Sequence, residues 1–180
     1  MPSTRPLAAP SDLFFAIGDA LLAEIPEIAV GNYDEFDTPE RDATVLIEFE
    51  RTRPATRGND GRYAHDFTIT LHAVVGRWRR WAPLEAVNLA TAVERVVDSN
   101  RWGLPSNQCD PPDPETMHNS PSIFQTGKHG YEAWGVTFNQ TIYLGESWAP
   151  EDPVTVAAPL VAHAWQVDTS DPGNYQPLTE

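Results

Sequence analysis

The sequence predicts an α+β domain: a mostly antiparallel sheet with two helices packed on one face, followed by an extended C-terminal tail. Apolar and polar residues alternate along two long segments, 62–76 and 131–145, which is typical of strands with one buried face. Two other segments, 11–25 and 83–98, carry apolar residues at helical spacing. Strands and helices come in blocks rather than in strict alternation, which favours helices gathered on one face of an antiparallel sheet.

The first helix is expected to follow a flexible, proline-rich leader, residues 1–10. Ser11 or Asp12 can cap its N-terminus, because both side chains accept hydrogen bonds from free backbone N–H groups. Pro26 should end the helix near Ile25, since proline lacks an N–H and clashes with the preceding turn. The apolar stripe of this helix consists of Phe14, Ile17, Leu21 and Ile25.

An antiparallel hairpin is predicted next. After an acidic loop with a short strand at Ile28–Val30, the first clear strand covers Ala43–Arg51 and the second covers Arg62–Gly76. The polar loop between them ends in Asn59, Asp60 and Gly61, a strong turn signal.

The second helix is predicted from Pro83, in its first turn, to about Asp98. Its stripe is rich in alanine and valine, so it should lie flat against the sheet. The proline-rich insert 105–121 is predicted to be irregular, because prolines cannot sit inside a helix or a central strand. A short strand is expected at Ile123–Gln125.

The long strand Tyr131–Gly145 should have two different faces. One parity carries the core residues Trp134, Val136, Phe138, Ile142 and Leu144, interrupted by Glu132 and Gln140. The other carries Tyr131, Thr137, Asn139, Thr141 and Tyr143, and is expected to meet water or another subunit. Residues 147–180 then form a C-terminal extension, with two short alternating pieces over 154–167 broken by Pro159 and a disordered end from 168.

The composition disfavours several functional classes. The formal net charge is -14, which repels phosphate and argues against a protein that holds nucleic acid or anionic lipid. With a single cysteine, Cys109, the chain has no internal disulfide, which suits a reducing cytosol. No apolar run approaches the length of a membrane span, so we expect no membrane association.

The sequence displays no catalytic, cofactor or metal site. His65 and His72 lie seven residues apart on one strand and therefore point to opposite faces. Cys109, His118 and His129 could meet only if a long loop folded back. No G-x-S-x-G motif and no glycine-rich phosphate loop is present. The acidic clusters are expected to be solvated loops, and the chain is predicted not to be an enzyme.

Two groups of basic residues stand out from the acidic background. The first group contains four of the 12 basic residues of the chain and flanks the hairpin loop. The second contains three and lies beside two tryptophans. They are either a solvated hairpin tip and a pre-helix turn, or contacts to an acidic partner, which a second copy would provide. We predict an oligomer or tube interface that contains Arg53, Arg57, Arg62, Arg77, Trp78, Arg79, Arg80, Tyr131 and Tyr143.

The pattern of elements resembles a known family. An N-terminal helix, a hairpin, an alanine- and valine-rich helix over Leu84–Val97, and a late strand of the form G-Y-E-x-W-x-V-x-F follow in order. Over about residues 11–146 this order is similar to that of the tail terminator, or tail completion, proteins of long-tailed bacteriophages. The matching residues in the late strand are Gly130, Tyr131, Glu132, Trp134, Val136, Phe138, Leu144 and Gly145.

This resemblance implies a structural virion protein. Members of the family form a ring, often a hexamer, at the head-proximal end of the tail tube, where they end tube polymerisation and provide the head-joining surface. The implied partners are copies of the chain itself, the tail tube protein and a head-completion or neck protein, with DNA passing through the ring without specific binding. The implied location is the tail of the virion, and the host cytoplasm during assembly.

Two alternatives remain open at this point. The chain could be another neck or baseplate component of a phage, since such proteins share similar motifs. It could also be a small cytosolic enzyme or ligand-binding domain whose site is built from the 105–130 loop with Cys109, His118 and His129.

Overall fold

The computed structural model describes residues 7–35, 43–122 and 130–147, and the backbone of 160–162 and 175–177. The chain divides into two compact units, Met1–Trp148 and Ala149–Glu180. The first contains helices α1 (Pro10–Glu24) and α2 (Ala82–Val97) and five strands. The strands are β1 (Ala29–Asn32), β2 (Ala43–Pro54), β3 (Tyr63–Gly76), β4 (His118–Ser122) and β5 (Tyr131–Leu144).

The five strands form one sheet in the order β1-β2-β3-β5-β4. β1 runs parallel to β2, and every other neighbouring pair is antiparallel. The long strands β3 and β5 pair over their full length, from Tyr63 opposite Leu144 to Gly76 opposite Tyr131. The predicted α+β class and the mostly antiparallel sheet are therefore confirmed.

Both helices pack on the same face of this sheet, as predicted. The largest core cluster joins Leu13, Ile17 and Leu21 of α1 with Ala90, Val93 and Val97 of α2. The strands contribute one parity each, as a pleated sheet requires. Their share is Val45, Ile47, Phe67, Ile69, Leu71, Ala73, Val136, Phe138 and Ile142. No helix within the described ranges is long and apolar enough to cross a membrane.

The start of α1 differs from the prediction. The helix begins at Pro10, and the carboxylate of Asp12 accepts hydrogen bonds from the N–H groups of Ala8 and Ala9 at 3.0 and 2.8 Å, so Asp12 caps the helix from inside its first turn. The leader is also shorter than predicted, because Leu7 is buried in the core and its N–H donates to Gln108 Oε1 at 3.1 Å.

The segment predicted to be irregular, 105–121, contains most of the strand that pairs with β5 at the sheet edge. This strand covers His118–Ser122, with Pro121 opposite Trp134, so the prediction of irregular chain is wrong there. An edge strand tolerates proline because one side of its backbone needs no partner. The strand predicted at Ile123–Gln125 lies outside the described residues.

The second unit contains two short strands, β6 (Leu160–Ala162) and β7 (Tyr175–Pro177), which pair antiparallel. β6 begins directly after Pro159, within the alternating region predicted there. The strand β7 falls in the end that was predicted to be disordered. A polar, proline-containing segment gives no local sign of a pairing partner that lies about a dozen residues away.

Candidate functional site: an open sheet face and two basic ends

The sheet has a second face that neither helix covers. Because side chains alternate along each strand, the residues between the core positions of β2, β3 and β5 all point to this open face. Most of them are polar, which fits the amphipathic second parity predicted for the late strand. At one end of this face, however, Leu46, Val74, Tyr131 and Ala133 form a second buried cluster, so that part of the parity predicted to meet water or another subunit is covered within the chain. The main open-face residues are Glu48, Glu50, Thr68, Thr70, His72, Thr137, Asn139 and Thr141.

A chain of hydrogen bonds crosses the open face at His72. Its Nε2 lies 2.7 Å from Glu48 Oε2 and its Nδ1 lies 2.9 Å from Ser122 Oγ, so three strands are tied together by one imidazole. The ring is stacked on Tyr33 with centroids 4.5 Å apart, and His72 is only 7% exposed. Both ring nitrogens and one ring face are thus engaged inside the protein.

Gly135 leaves the space for this row of hydrogen-bonded side chains. A methyl group at Gly135 would meet Ser122 Oγ at 2.9 Å and Thr70 Cγ2 at 3.0 Å. These distances are shorter than ordinary van der Waals contact, so any other residue in this inner strand would press on the polar row. Beside it, Thr70 bonds to Glu50 and lies 2.6 Å from the hydroxyl of Thr137.

The hairpin of β2 and β3 forms the first basic end of the sheet. The last residues of β2, 50–54, are exposed. Arg53 is ion-paired with Asp66 at 2.6 Å while its side chain stays 62% exposed. The guanidinium of Arg57 lies 4.0 Å from the ring centre of Tyr63, which is itself 58% exposed. The hairpin end therefore presents cationic groups over an aromatic ring.

Arg62, placed by the sequence at the same surface, is buried at 8% exposure. Its guanidinium bonds to Asp60 Oδ2 at 2.9 Å, to the carbonyl of Asn107 at 3.2 Å and to the carbonyl of Gly145 at 3.2 Å. These bonds join three loops at the hairpin end. Arg62 is thus a positioning residue of this end rather than part of its outer surface.

Tyr143 lies nearby and also bonds within the chain. Its hydroxyl donates to Asp110 Oδ2 at 2.7 Å. This hydrogen bond to a carboxylate raises the pKa of Tyr143 to about 12, because the carboxylate stabilises the neutral phenol and repels the phenolate.

The second basic end surrounds the start of α2. We call Trp78, Arg80, Trp81 and Leu84 the tryptophan corner. Its apolar members are 51, 57 and 60% exposed, in the order Trp78, Trp81, Leu84. The Arg80 guanidinium lies 5.3 Å from the centre of a Trp81 ring. The corner therefore combines a cation with a large apolar surface.

Trp78 has a fixed position in spite of its exposure. A methyl group built on Gly76 would fall 2.2 Å from Trp78 Cζ2, so the indole lies directly on the backbone there. Its ring also meets Tyr131 edge-to-face with centroids 5.6 Å apart. Tyr131 is 7% exposed and serves as a support for Trp78.

The two remaining arginines of this group are paired within the chain. Arg77 Nε lies 2.8 Å from Glu132 Oε1, and Arg79 is ion-paired with Glu85. Arg80 is exposed, and the structure shows its guanidinium over a ring of Trp81 in the corner.

The structure does not bring the two basic groups together. Tyr63 and Gly76 are the two ends of β3, a strand of 14 residues. At roughly 3.3 Å per residue such a strand spans about 40 Å. The hairpin end and the tryptophan corner therefore lie at opposite ends of the sheet.

A buried polar centre was missed by the sequence analysis. Gln140, expected to interrupt the core face of β5, is 1% exposed within it. Its Oε1 accepts from Trp102 Nε1 at 2.7 Å, and its Nε2 donates to the carbonyls of Asp110 and Asn100 at 2.8 and 3.1 Å. The signal that could have revealed this centre was the uncharged amide of Gln140 at a position whose neighbours of the same parity are apolar core residues.

Cys109 lies in the same centre. It is fully buried, 3.2 Å from Gln140 Nε2, and burial next to Asp110 raises the pKa of its thiol to about 12. A thiol held neutral in this way is a poor nucleophile. His118 is exposed on β4 and His129 lies outside the described residues. Within the described part of the chain, no three His, Cys, Asp or Glu side chains are grouped so as to hold a metal ion.

Comparison with known proteins adds little. No protein-family model and no curated protein matches the chain. Several solved structures do match, and one of them is similar over 78% of this chain and 100% of its own, at 14% identity and a TM-score of 0.47. A likeness at this level carries no argument about function.

Proposed function

We propose that the protein is a structural component of a phage tail: a tail terminator that forms a ring at the head-proximal end of the tail tube. In this role it ends tube polymerisation and presents the surface that joins the head. Its partners are copies of itself, in a ring expected to be a hexamer, the tail tube protein, and a head-completion or neck protein. It makes no chemical bond and needs no cofactor, and it works in the virion after assembly in the host cytoplasm.

The observation that carries this proposal is the separation of two exposed basic and aromatic surfaces by the length of β3. A terminator must bind different proteins in front of it and behind it, and neighbouring copies at its sides. The hairpin end and the tryptophan corner are suited to two different contacts, because each combines arginine with aromatic rings. Such residues are enriched where binding energy is concentrated.

The charge of the chain supports a passage for DNA. With a net charge of -14, a ring of these subunits offers the phosphate backbone mostly repulsion. Counterion release, the main source of nonspecific DNA affinity, needs exposed cations, and several of the arginines here are already paired with carboxylates. DNA would then slide through the ring without being held.

The test is deletion of the gene from the genome that encodes the chain, followed by electron microscopy of the lysate. We expect tails of uncontrolled length and separate heads, and recovery of joined particles when the gene is supplied from a plasmid. Normal tails joined to heads would refute the proposal. A defect confined to the baseplate or to the head would instead support another structural role in the particle.

The enzymatic alternative is weakened by where its residues lie. Cys109 is part of the buried centre around Gln140, while His118 is exposed on the edge strand. We assign the hydrogen-bonded row through His72 to the ordering of the open face, because its ring is enclosed by Glu48, Ser122 and Tyr33.

A further inference from the structure

The large apolar side chains that are exposed among the described residues are few, and most of them fall in two places. Three belong to the tryptophan corner, and two, Phe15 and Leu22, lie on α1. The remaining one, Tyr63, lies at the hairpin end beneath Arg57. Exposed apolar side chains that cluster mark contact surfaces, whereas scattered ones need no explanation.

The two residues on α1 share one face of the helix with a carboxylate. Phe15, Asp19 and Leu22 are spaced by four and three residues, so they form a single exposed row, which we call the α1 row. Phe15 is 51% and Leu22 43% exposed. The helix contains no lysine or arginine, and Glu24 adds a further exposed carboxylate at its end.

The α1 row and the tryptophan corner are complementary in hydrophobic surface and in charge. Each offers large apolar side chains, and the row carries carboxylates where the corner carries Arg80. A cation–carboxylate pair at the edge of an apolar contact sets the orientation of two partners, and the aromatic groups supply most of the affinity. Trp78 is held in place by Gly76 and Tyr131, so little side-chain entropy is lost when it is covered.

We infer that the tryptophan corner of one copy binds the α1 row of the next copy. The two surfaces consist of different residues, so the contact is head-to-tail, and repeated contacts of this kind close into a ring if the rotation per copy permits. This inference deepens the proposed function by naming the contact between copies, and it assumes the ring that the proposed function requires.

The first experiment uses complementary single-surface variants of the full chain. Arg80→Glu with Trp81→Ala disables the corner, and Asp19→Arg with Leu22→Ser disables the α1 row. All four positions are exposed, so the fold should persist, which circular dichroism will verify. By sedimentation, the unaltered chain should form assemblies larger than a dimer, and each variant alone should remain monomeric.

The decisive sample is an equal mixture of the two variants. One intact corner and one intact α1 row remain, so the mixture should form a one-to-one dimer and nothing larger. A self-associating corner would instead let the Asp19→Arg, Leu22→Ser variant dimerise alone, and this result would overturn the inference. It would also be overturned if the unaltered chain stayed monomeric at concentrations up to about 1 mM, the limit of weak specific association.

A charge-exchange variant and a control variant test whether the contact is specific. Arg80→Glu combined with Asp19→Arg in one chain exchanges the charges and should restore assembly to within about 10-fold of the original affinity, while either change alone should weaken it by roughly 30-fold or more. Tyr63→Ala is the matched control, because it removes an equally exposed aromatic ring at the opposite end of the sheet.

Cross-linking shows which residues meet, because a covalent bond traps copies that associate only weakly. Cys109, the single cysteine, is fully buried, so Asp19→Cys with Arg80→Cys introduces the reactive pair without background. A short bismaleimide should yield a ladder of covalent multimers, and the control pair Asn88→Cys with Arg80→Cys should not. A ladder together with normal phage tails after gene deletion would keep the copy-to-copy contact and reject only the terminator role.

Discussion

At the scale of single residues, Gln140 determines the course of the segment that follows α2. Trp102 has a φ of 58° and is one of two described non-glycine residues with positive φ, the other being Ser99. Such conformations cost about 1–3 kcal/mol and persist only when surrounding contacts hold them. The bond from Trp102 Nε1 to Gln140 Oε1 is such a contact, and the amide group of Gln140 also binds the carbonyls of Asn100 and Asp110.

Gln140→Leu should therefore lower the free energy of unfolding by about 3 kcal/mol or more, because a buried indole N–H and two carbonyls lose their partner together. Urea denaturation followed by tryptophan fluorescence would measure the change. Thr141→Val, at the next position on the open face, is the control and should stay within roughly 0.5 kcal/mol. Equal stability of the Gln140→Leu protein would show that these bonds contribute nothing net.

Tyr143 predicts a pH dependence whose sign follows from its hydrogen bond. The pKa of the phenol is about 12 in the folded protein, against an ordinary value of 10.0 for tyrosine. A raised folded pKa means that the unfolded state loses its proton first, so this contribution to stability is complete below pH 10 and is lost as the pH rises toward 12. The urea midpoint of the unaltered chain should fall across this range more steeply than that of Tyr143→Phe. Parallel curves would contradict the prediction.

At the scale of elements, the order of the open face depends on the inner strand β5, because β5 leaves room for the hydrogen bond between His72 and Ser122 to pass over it. Gly135 lies on β5 between Thr70 and Ser122, and the row from Glu48 through His72 to Ser122 joins β2, β3 and β4 by passing over β5. The edge strand β4, which carries Ser122, is short and contains Pro121, so its position relies on such side-chain bonds as well as on its ladder.

Gly135→Ala should cost about 1–3 kcal/mol, the usual range for an added methyl group in a packed site. Adding Ser122→Ala should recover part of the loss, because the nearest obstacle to the methyl group is then removed. The double-mutant cycle, measured by thermal or urea unfolding, should give a coupling of at least about 0.5 kcal/mol.

Gly31→Ala is the matched control for this prediction. It also adds a methyl group to a strand glycine, but the nearest atom, Leu46 Cδ2, lies at 3.4 Å, which is an ordinary contact. We expect little or no loss of stability there. Additive effects of Gly135→Ala and Ser122→Ala would show that crowding against the Ser122 hydroxyl does not cause the loss of stability.

The elements also show where local sequence patterns succeed. Alternation over 62–76 and 131–145 was sufficient to predict β3 and β5, because one parity of each strand packs into the core beneath the helices along most of its length. The edge strand β4 has the pattern His-Asn-Ser-Pro-Ser, with no buried residue, and its only strand property is its pairing with β5. Local alternation could not reveal it.

At the scale of the whole molecule, the two basic ends should be separable in function. Arg53 and Arg57 are exposed at the hairpin end, about 40 Å along β3 from the tryptophan corner. If the corner joins copies, the hairpin end is left for a contact with another virion protein. Charge reversal at the hairpin should then affect the particle and leave the ring intact.

The variant Arg53→Glu with Arg57→Glu should sediment like the unaltered chain. In a phage that lacks the gene, it should restore plaque formation at least about 10-fold less well than the unaltered chain, since reversed charges in a contact weaken association by this order. Arg95→Glu, an exposed arginine on α2, is the control. Full complementation by the hairpin variant would place the axial contact elsewhere on the molecule.

The sequence by itself determined the α+β class, both helices, the long strands and which parity of the long strands packs beneath the helices, because these follow from periodic patterns along a local segment. Only the tertiary structure decided that Arg62 and Tyr131 turn inward, that Gln140 is a buried centre, and that the tryptophan corner and the hairpin lie at opposite ends. The physical reason is that hydrogen-bond partners and exposure depend on residues far apart in the chain: Arg62 meets Asn107, and Trp102 meets Gln140. The periodicity of apolar residues along a local segment contains no information about such pairs.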